Sequence, residues 1–477
     1  MLEDHRFSGS VLFIIFLGFA GDYMDKVVVV IGGGAAGMAA ASKAKRTNPS
    51  LRVIVLEAKG FVSHAPCGTP FYIGGYFDDP NLLVHYPVEV FTKKRKIEIM
   101  LRTKAQKIDF DGNIVYAIGQ DGEGLELSYD YLVLAMGAKP RRLNVDGEDL
   151  ENIFHIRHME DALPIREKLP EIENVVLIGA GFINVEMAEA FIRQKKKVTM
   201  ITRGTRVLSR LDPDMSEIVE KELISKSIDL RKEEHVLAFE GDNRVKKVIT
   251  DKGEYDADLV IVGIGVEPYT DIIRNSPIKL GYKGAIRVNP RMQTNIDRVY
   301  AVGDVAEMTH VVTGRPTWYP LAQIANKMGR VAGSNIGGVP MEFNGVAGTS
   351  LLRFFDLSIG ITGLNSREAE REGYRVKTVR IEASDKPHYY PTARKIWLKL
   401  IYDEETRKLL GGQAIGGETI AGRINVVATA LHAGLSIDDL YNIDLGYSPP
   451  FAPVWDPIVI ASSVAMRDLA KKSKHRN

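Results

Sequence analysis

Along this chain, short runs of aliphatic and β-branched residues carry no polar interruption, and several are followed at once by glycine. Residues 27–31 (Val-Val-Val-Val-Ile) form the first, and 52–56, 131–135, 175–178, 198–201, 258–265 and 299–302 repeat the pattern. A strand that is apolar at every position is buried on both faces, as in a parallel sheet covered by helices. Between these runs lie helical stretches, 38–45 and 185–193, so the pattern predicts two α/β units in series. From about residue 346 the pattern changes to strands mixed with basic and aromatic residues, then a helical stretch at 420–433. No glycine fingerprint follows, which predicts a third domain that binds no nucleotide.

The glycines after the first strand are Gly32, Gly34 and Gly37, with Ala36 among them. In a strand–turn–helix setting they allow a tight turn and bring backbone amides to a pyrophosphate at the helix N-terminus. The second strand ends in Glu57, whose carboxylate is placed to accept both hydroxyls of an adenosine ribose. Ala135 and Gly137 end a later strand in small residues, suited to passing close to a bound cofactor, and Gly303-Asp304 places one carboxylate at a similar close approach. The pattern recurs at Gly179-x-Gly181, but Asn184 stands where the third glycine belongs, so it either crowds the helix against the strand or meets the ligand. The acid position of this unit holds Thr202, followed by Arg203 with Arg206 nearby, and Gly265 closes the last strand. Guanidinium groups in place of a carboxylate suit a 2′-phosphate, which predicts NADPH, with NADH also accepted; a solvated basic loop is the competing reading.

Composition adds few constraints. With 477 residues, 45% hydrophobic and 26% charged, the chain has the make-up of an ordinary globular protein of about three domains. A net charge of +1 argues against nucleic acid as the main partner. The single cysteine, Cys67, excludes an internal disulfide framework and a cysteine-cluster metal site, and no histidine pairing predicts a metal either. Residues 11–19 are apolar but too short to cross a bilayer, so residues 1–24 read as a loose extension on a cytoplasmic protein without a membrane partner. Cys67 lies ten residues beyond Glu57, in Ser63-His64-Ala65-Pro66-Cys67-Gly68-Thr69-Pro70. A thiol there with no resolving cysteine needs an external partner for redox chemistry.

These motifs together resemble the pyridine nucleotide–disulfide oxidoreductases over residues 25–470. The resemblance implies two Rossmann-like domains, an FAD domain at 25–140 and 268–345 with an NAD(P)H domain at 141–267 inserted, then an α+β dimerisation domain at 346–477. It implies that Asp304 holds the ribityl chain of FAD, with Pro320, Leu321 and Ala322 near the flavin. The single cysteine in Ser63-x-Ala65-x-Cys67-Gly68-x-Pro70 is similar to the branch containing coenzyme A disulfide reductases, water-forming NADH oxidases and NADH peroxidases. The oxidases and peroxidases usually place a histidine where this chain has Ala35, which weighs against peroxide chemistry. The segments 386–391 and 447–451 resemble those that supply tyrosines from the other subunit of a homodimer. Tyr390 and Tyr447 are favoured as catalytic, with Tyr389 an open alternative to Tyr390; a phenol there would protonate a leaving thiolate. Lys43, Lys45 and Arg46 are expected to hold the phosphates of coenzyme A, a solvated helix end being the competing reading. Ser63 and His64 are expected to line the substrate pocket, His64 as a wall rather than a base.

The implied activity is reduction of coenzyme A disulfide through a mixed disulfide between Cys67 and coenzyme A, which requires a Cys67 of lowered pKa. The alternatives are a NAD(P)H oxidase cycling Cys67 through sulfenic acid, and a coenzyme A-dependent persulfide, polysulfide or sulfur reductase.

Overall fold

The computed structural model describes residues 26–474, so the expected extension at 1–24 lies outside the described residues. The apolar runs become two five-stranded parallel sheets. The first has the order Val299–Ala301, Tyr131–Leu134, Val27–Ile31, Arg52–Leu56, Glu98–Met100. Its strand Val27–Ile31 is central, and Val28, Val29 and Val30 are fully buried. The second has the order Asp229–Lys232, Lys197–Thr202, Asn174–Ile178, Leu259–Val262, Ile153–Phe154. Because Val299–Ala301 returns to the first sheet after the second is complete, the second α/β unit is inserted into the first. The C-terminal sheet is antiparallel, in the order Ser350–Phe354, Leu357–Gly363, Leu409–Gly416, Lys395–Asp403, Val376–Ser384.

Helices α1 (Ala35–Thr47), α2 (Thr69–Ile73), α3 (Met159–Lys168), α4 (Phe182–Arg193), α5 (Pro213–Ser225) and α6 (Ala322–Ile336) cover the parallel sheets. The C-terminal domain adds α7 (Ser366–Arg371), α8 (Ile420–Ala433), α9 (Ile437–Asn442) and α10 (Pro457–Lys474). Helix α6 lies against α1 through small residues: a Cβ on Gly329 would stand 2.2 Å from the Ala36 carbonyl oxygen. No helix among the described residues is long and apolar enough to cross a membrane.

A buried polar contact joins the inserted unit to the C-terminal sheet. Lys399, 8% exposed, reaches Asp212 at 2.8 Å and Asp214 at 2.7 Å from beneath the start of α5. Ser366 donates to Asp212 through Oγ, and Gln413 accepts from the Asp212 amide. Burial alone would raise the Asp212 pKa, but the hydrogen bonds from Lys399 and Ser366 outweigh it and hold the carboxyl below its ordinary value. That contribution is present above the unfolded carboxylate value of about 3.9 and is lost as pH falls through the lower folded value. Lys399→Met strands the buried Asp212 carboxylate without its cation, so a loss of about 3–5 kcal/mol in urea unfolding is expected.

Candidate active site around Cys67

Cys67 sits in the short turn Pro66–Gly68 that feeds α2. The strand-like approach to it is pinned on both sides. The Ser63 amide donates to the Gly33 carbonyl at 2.9 Å, the Ala65 amide to Leu83 at 2.8 Å, and the His85 amide to Ser63 at 2.9 Å. Ser63 adopts a left-handed backbone with φ 52°, a conformation that costs energy in a non-glycine residue and persists only where neighbours impose it. A Cβ on Gly68 would stand 2.2 Å from Leu83 Cδ2, so a side chain there would push the Leu83 tip aside. Cys67 is therefore held beside the first fingerprint turn, with part of its surface reachable from solvent although the surrounding chain crowds the sulfur.

The fingerprint residues converge at the C-terminal edge of the first sheet. Gly32 has φ +107°, and a Cβ on it would meet the Ala135 carbonyl oxygen at 2.3 Å; one on Gly37 would meet the Gly32 carbonyl oxygen at 1.9 Å. At Gly34 a Cβ would meet nothing, and no side chain caps α1, so its first amides face open space. Glu57 accepts from the Gly33 amide and the Lys59 amide, both at 2.7 Å, leaving lone pairs on each oxygen. Gly303, φ +74°, abuts Ala36 and brings Asp304 to the same edge as Gly137. Asp304 bonds Arg157 through Oδ2 at 2.5 Å, while its Oδ1 is buried without a partner. Trp318 donates to the Asp304 carbonyl, and Pro320 and Leu321, half-buried, lead into α6 at Ala322. An orphaned carboxylate oxygen and side-chain-free amides fit a hydroxylated, phosphorylated ligand.

In the second unit, a Cβ on Gly179 (φ +98°) would stand 2.5 Å from the Gly263 carbonyl oxygen, and Gly181 begins α4 without a side-chain cap. Asn184 neither crowds the helix off the strand nor leaves its amide idle. Fully buried, it donates from Nδ2 to the carbonyls of Ile178 at 2.7 Å and Gly179 at 2.8 Å, bracing the turn from beneath. Thr202 is buried and accepts from the Gly204 amide. Arg203 is exposed and Arg206 half-buried, and no hydrogen bond or ion pair engages either side chain among the described residues. Gly265, φ +102°, lies in the link that follows the neighbouring strand Leu259–Val262.

Several groups differ from the sequence expectation. A lowered Cys67 pKa is expected from its chemistry, yet within the polypeptide burial pushes the thiol up, Glu186 pushes it further, and Arg157 opposes them. Burial also pushes His64 below its ordinary value and His158, 5.8 Å away between ring centroids, down to about 4. Two neutral imidazoles thus line the thiol's approach, and His64 Nδ1 is buried without a partner. Lys45 already donates to the Pro49 and Leu51 carbonyls, closing the end of α1, while Lys43 packs on Gly333 and Arg46 is exposed. That end lies about 16 Å of helix from the Gly34 turn.

Tyr389, 62% exposed, hydrogen-bonds Tyr447, 49% exposed, whereas Tyr390 is half-buried under the Lys386 ammonium. Arg423 staples the two tyrosine segments, bonding the Asp385 carbonyl at 3.1 Å and Asp456 at 3.0 Å. Neither tyrosine is among the groups acting on Cys67 within the protomer, which are Glu186, Arg157 and Asp304. Sequence reasoning missed Arg157 and Glu186, because neither belongs to a fingerprint and only domain packing turns them toward the thiol.

The family described as pyridine nucleotide-disulphide oxidoreductase matches residues 26–329, and its dimerisation domain matches 349–457. The NAD(P)H coenzyme A polysulfide/persulfide reductase of Pyrococcus horikoshii is 48% identical over 447 residues, covering 93% of this chain and 99% of the relative. A coenzyme A disulfide reductase of Staphylococcus haemolyticus is 29% identical over 431 residues, covering 89% and 96%. The solved NAD-dependent persulfide reductase from A. fulgidus superposes with a TM-score of 0.90 at 36% identity, covering 93% of this chain and 83% of that one. This chain belongs to the pyridine nucleotide-disulphide oxidoreductases.

Proposed function

We propose that this chain is a flavin-dependent NAD(P)H reductase of sulfur–sulfur bonds that works with coenzyme A. The observation carrying this reading is the lone thiol: Cys67 is the only cysteine of the chain and is pinned beside the first nucleotide turn. Sulfur exchange at Cys67 therefore needs an external sulfur. The Cys67 thiolate attacks a sulfur–sulfur bond, forming a mixed disulfide and releasing one thiolate; two electrons and a proton then break the mixed disulfide and restore the thiol. Coenzyme A disulfide is the oxidant to which the sequence reading leads. Polysulfide or persulfide, taken through the same first step, is favoured by the higher identity to the Pyrococcus horikoshii relative.

FAD fits the first cradle: Glu57 toward the ribose, the α1 amides toward the pyrophosphate, and the orphaned Asp304 Oδ1 toward the ribityl chain. Bound there, it would supply the relay of electrons from pyridine nucleotide to sulfur. Gly179, Gly181 and Gly265 would seat NAD(P)H, with Arg203 and Arg206 gripping a 2′-phosphate. Lys43 and Arg46 remain available to a coenzyme A phosphate, with Ser63 and His64 as pocket wall. In a homodimer, the exposed tyrosines of one subunit would reach the Cys67 of the other. The exposure of Tyr389, like that of Tyr447, favours it over the half-buried Tyr390 for that role.

Anaerobic NADPH consumption with coenzyme A disulfide, with polysulfide, with neither, and then with oxygen alone tests the assignment. Turnover with one or both sulfur acceptors is expected, and turnover with oxygen only refutes it. Intact mass of the protein as isolated should show a dithiothreitol-labile adduct of coenzyme A size that is absent from Cys67→Ser. Arg203→Ala should weaken apparent NADPH affinity about tenfold while leaving NADH nearly unchanged, since one charge-assisted contact to the 2′-phosphate is lost. An unaltered NADPH:NADH preference would remove the arginine argument.

A further inference from the structure

Helix α3 belongs to the inserted unit, yet it is fastened to the first domain at three places. Glu160 Oε1 accepts from the Gly60 amide at 3.1 Å, in the loop that leads to the cysteine segment. Arg166 donates from Nη1 to the Ile73 carbonyl of α2 at 3.0 Å and from Nη2 to Asp78 at 2.8 Å. The third fastening is Arg157, two residues before the helix, whose Nη2 donates to Asp304 Oδ2 at 2.5 Å.

Both partners of this last contact are held from behind. The amides of Arg157 and His158 donate to Asp161 Oδ2 at 2.8 and 2.7 Å, in the capping box that begins α3. The guanidinium lies beside Gly137, where an added Cβ would find Arg157 Nη2 as its nearest neighbour at 3.7 Å. On the other side, Trp318 Nε1 donates to the Asp304 carbonyl at 2.8 Å and fixes its backbone. The Asp304 side chain is only 12% exposed, so little water reaches its charge, and Arg157 is its counterion. The last torsion of an aspartate is soft and roughly two-fold. With Oδ2 tied to Nη2 that torsion is set, and Oδ1, buried without a partner, is presented in one direction.

We propose that Arg157 is a positioning residue of the flavin site: from the inserted unit it orients Asp304 so that Oδ1 meets the ribityl chain. The proposal rests on the reading that FAD occupies the first cradle with Asp304 on its ribityl hydroxyls. It adds a dependence of that cradle on the second unit, because the acceptor keeps its direction only while α3 is seated on the first domain. Removing the guanidinium leaves α3 attached through Glu160 and Arg166. The helix therefore stays in place while the carboxylate loses its counterion and its orientation.

The full-length holoenzyme would be diluted and FAD release followed by the rise in flavin fluorescence. Arg157→Met and Asp304→Ala should each speed release about tenfold or more, as for loss of a hydrogen bond to a charged group. Because Arg157 acts through Asp304, the two substitutions combined should match Asp304→Ala alone to within about twofold. Arg157→Lys keeps the charge without the fork and should recover part of the retention. Arg157→Gln replaces the Met variant if that one does not fold, with the same direction expected. Wild-type release from Arg157→Met, effects that multiply in the combined variant, or a Lys variant as leaky as Met would overturn the proposal. Wild-type release from Asp304→Ala would instead refute the FAD reading on which the proposal rests, and the proposal with it.

Discussion

The arrangement depends on two places where backbone meets backbone with no room for a side chain between. At Gly32 the turn lies against the Ala135 carbonyl, and at Gly179 against the Gly263 carbonyl. Each approach lets a helix start directly over the edge of a parallel sheet, with unspent amides aimed at the same space. The first turn also carries the thiol, because the Gly33 carbonyl anchors Ser63 and so fixes the path to Cys67. The first glycine turn and the path to the thiol are one construction, and a side chain on Gly32 would disturb both.

Around that construction the three domains are tied by polar groups taken out of water in satisfied sets. Glu189 joins Tyr76 of the first domain to Phe355 of the third, and Lys399 joins the acids at the start of α5 to the C-terminal sheet. Such contacts are rigid because any loosening strands a buried charge. Rigidity matters for the thiol, whose ionisation depends on charges contributed by three separate segments. In the polypeptide alone, burial and Glu186 disfavour the thiolate. The chain thus holds Cys67 back, and stabilisation of its reactive form falls to whatever binds beside it.

The C-terminal domain presents an unusual concentration of exposed aromatic and apolar residues. Tyr389, Tyr447, Phe451, Val454 and Trp455 are all open to solvent in the protomer. Arg423 holds the two segments that carry them, so the surface is preformed rather than loose. A matched dimerisation domain gives such a surface its natural cover in a second copy.

Much of this was legible in the sequence because it depends on local chain chemistry. Uninterrupted apolar runs give parallel strands, glycines at fixed spacing give tight strand-to-helix turns, and a lone cysteine leaves any redox chemistry of its thiol to an external partner. The role of Asn184 was not legible: it could crowd the helix or meet the ligand, and only packing showed its amide bonding the turn's own carbonyls. Likewise, the exposure of Tyr389 against the half-buried Tyr390 and the engagement of Lys45 with the chain after α1 could be seen only in the fold. Glu186 and Arg157 carry no motif at all. The sequence by itself determined the elements and the kind of chemistry, since these follow from residue type and spacing. The electrostatic state of Cys67 was decided by tertiary structure alone, because charge acts through space and the charged groups that act on the thiol are distant along the chain.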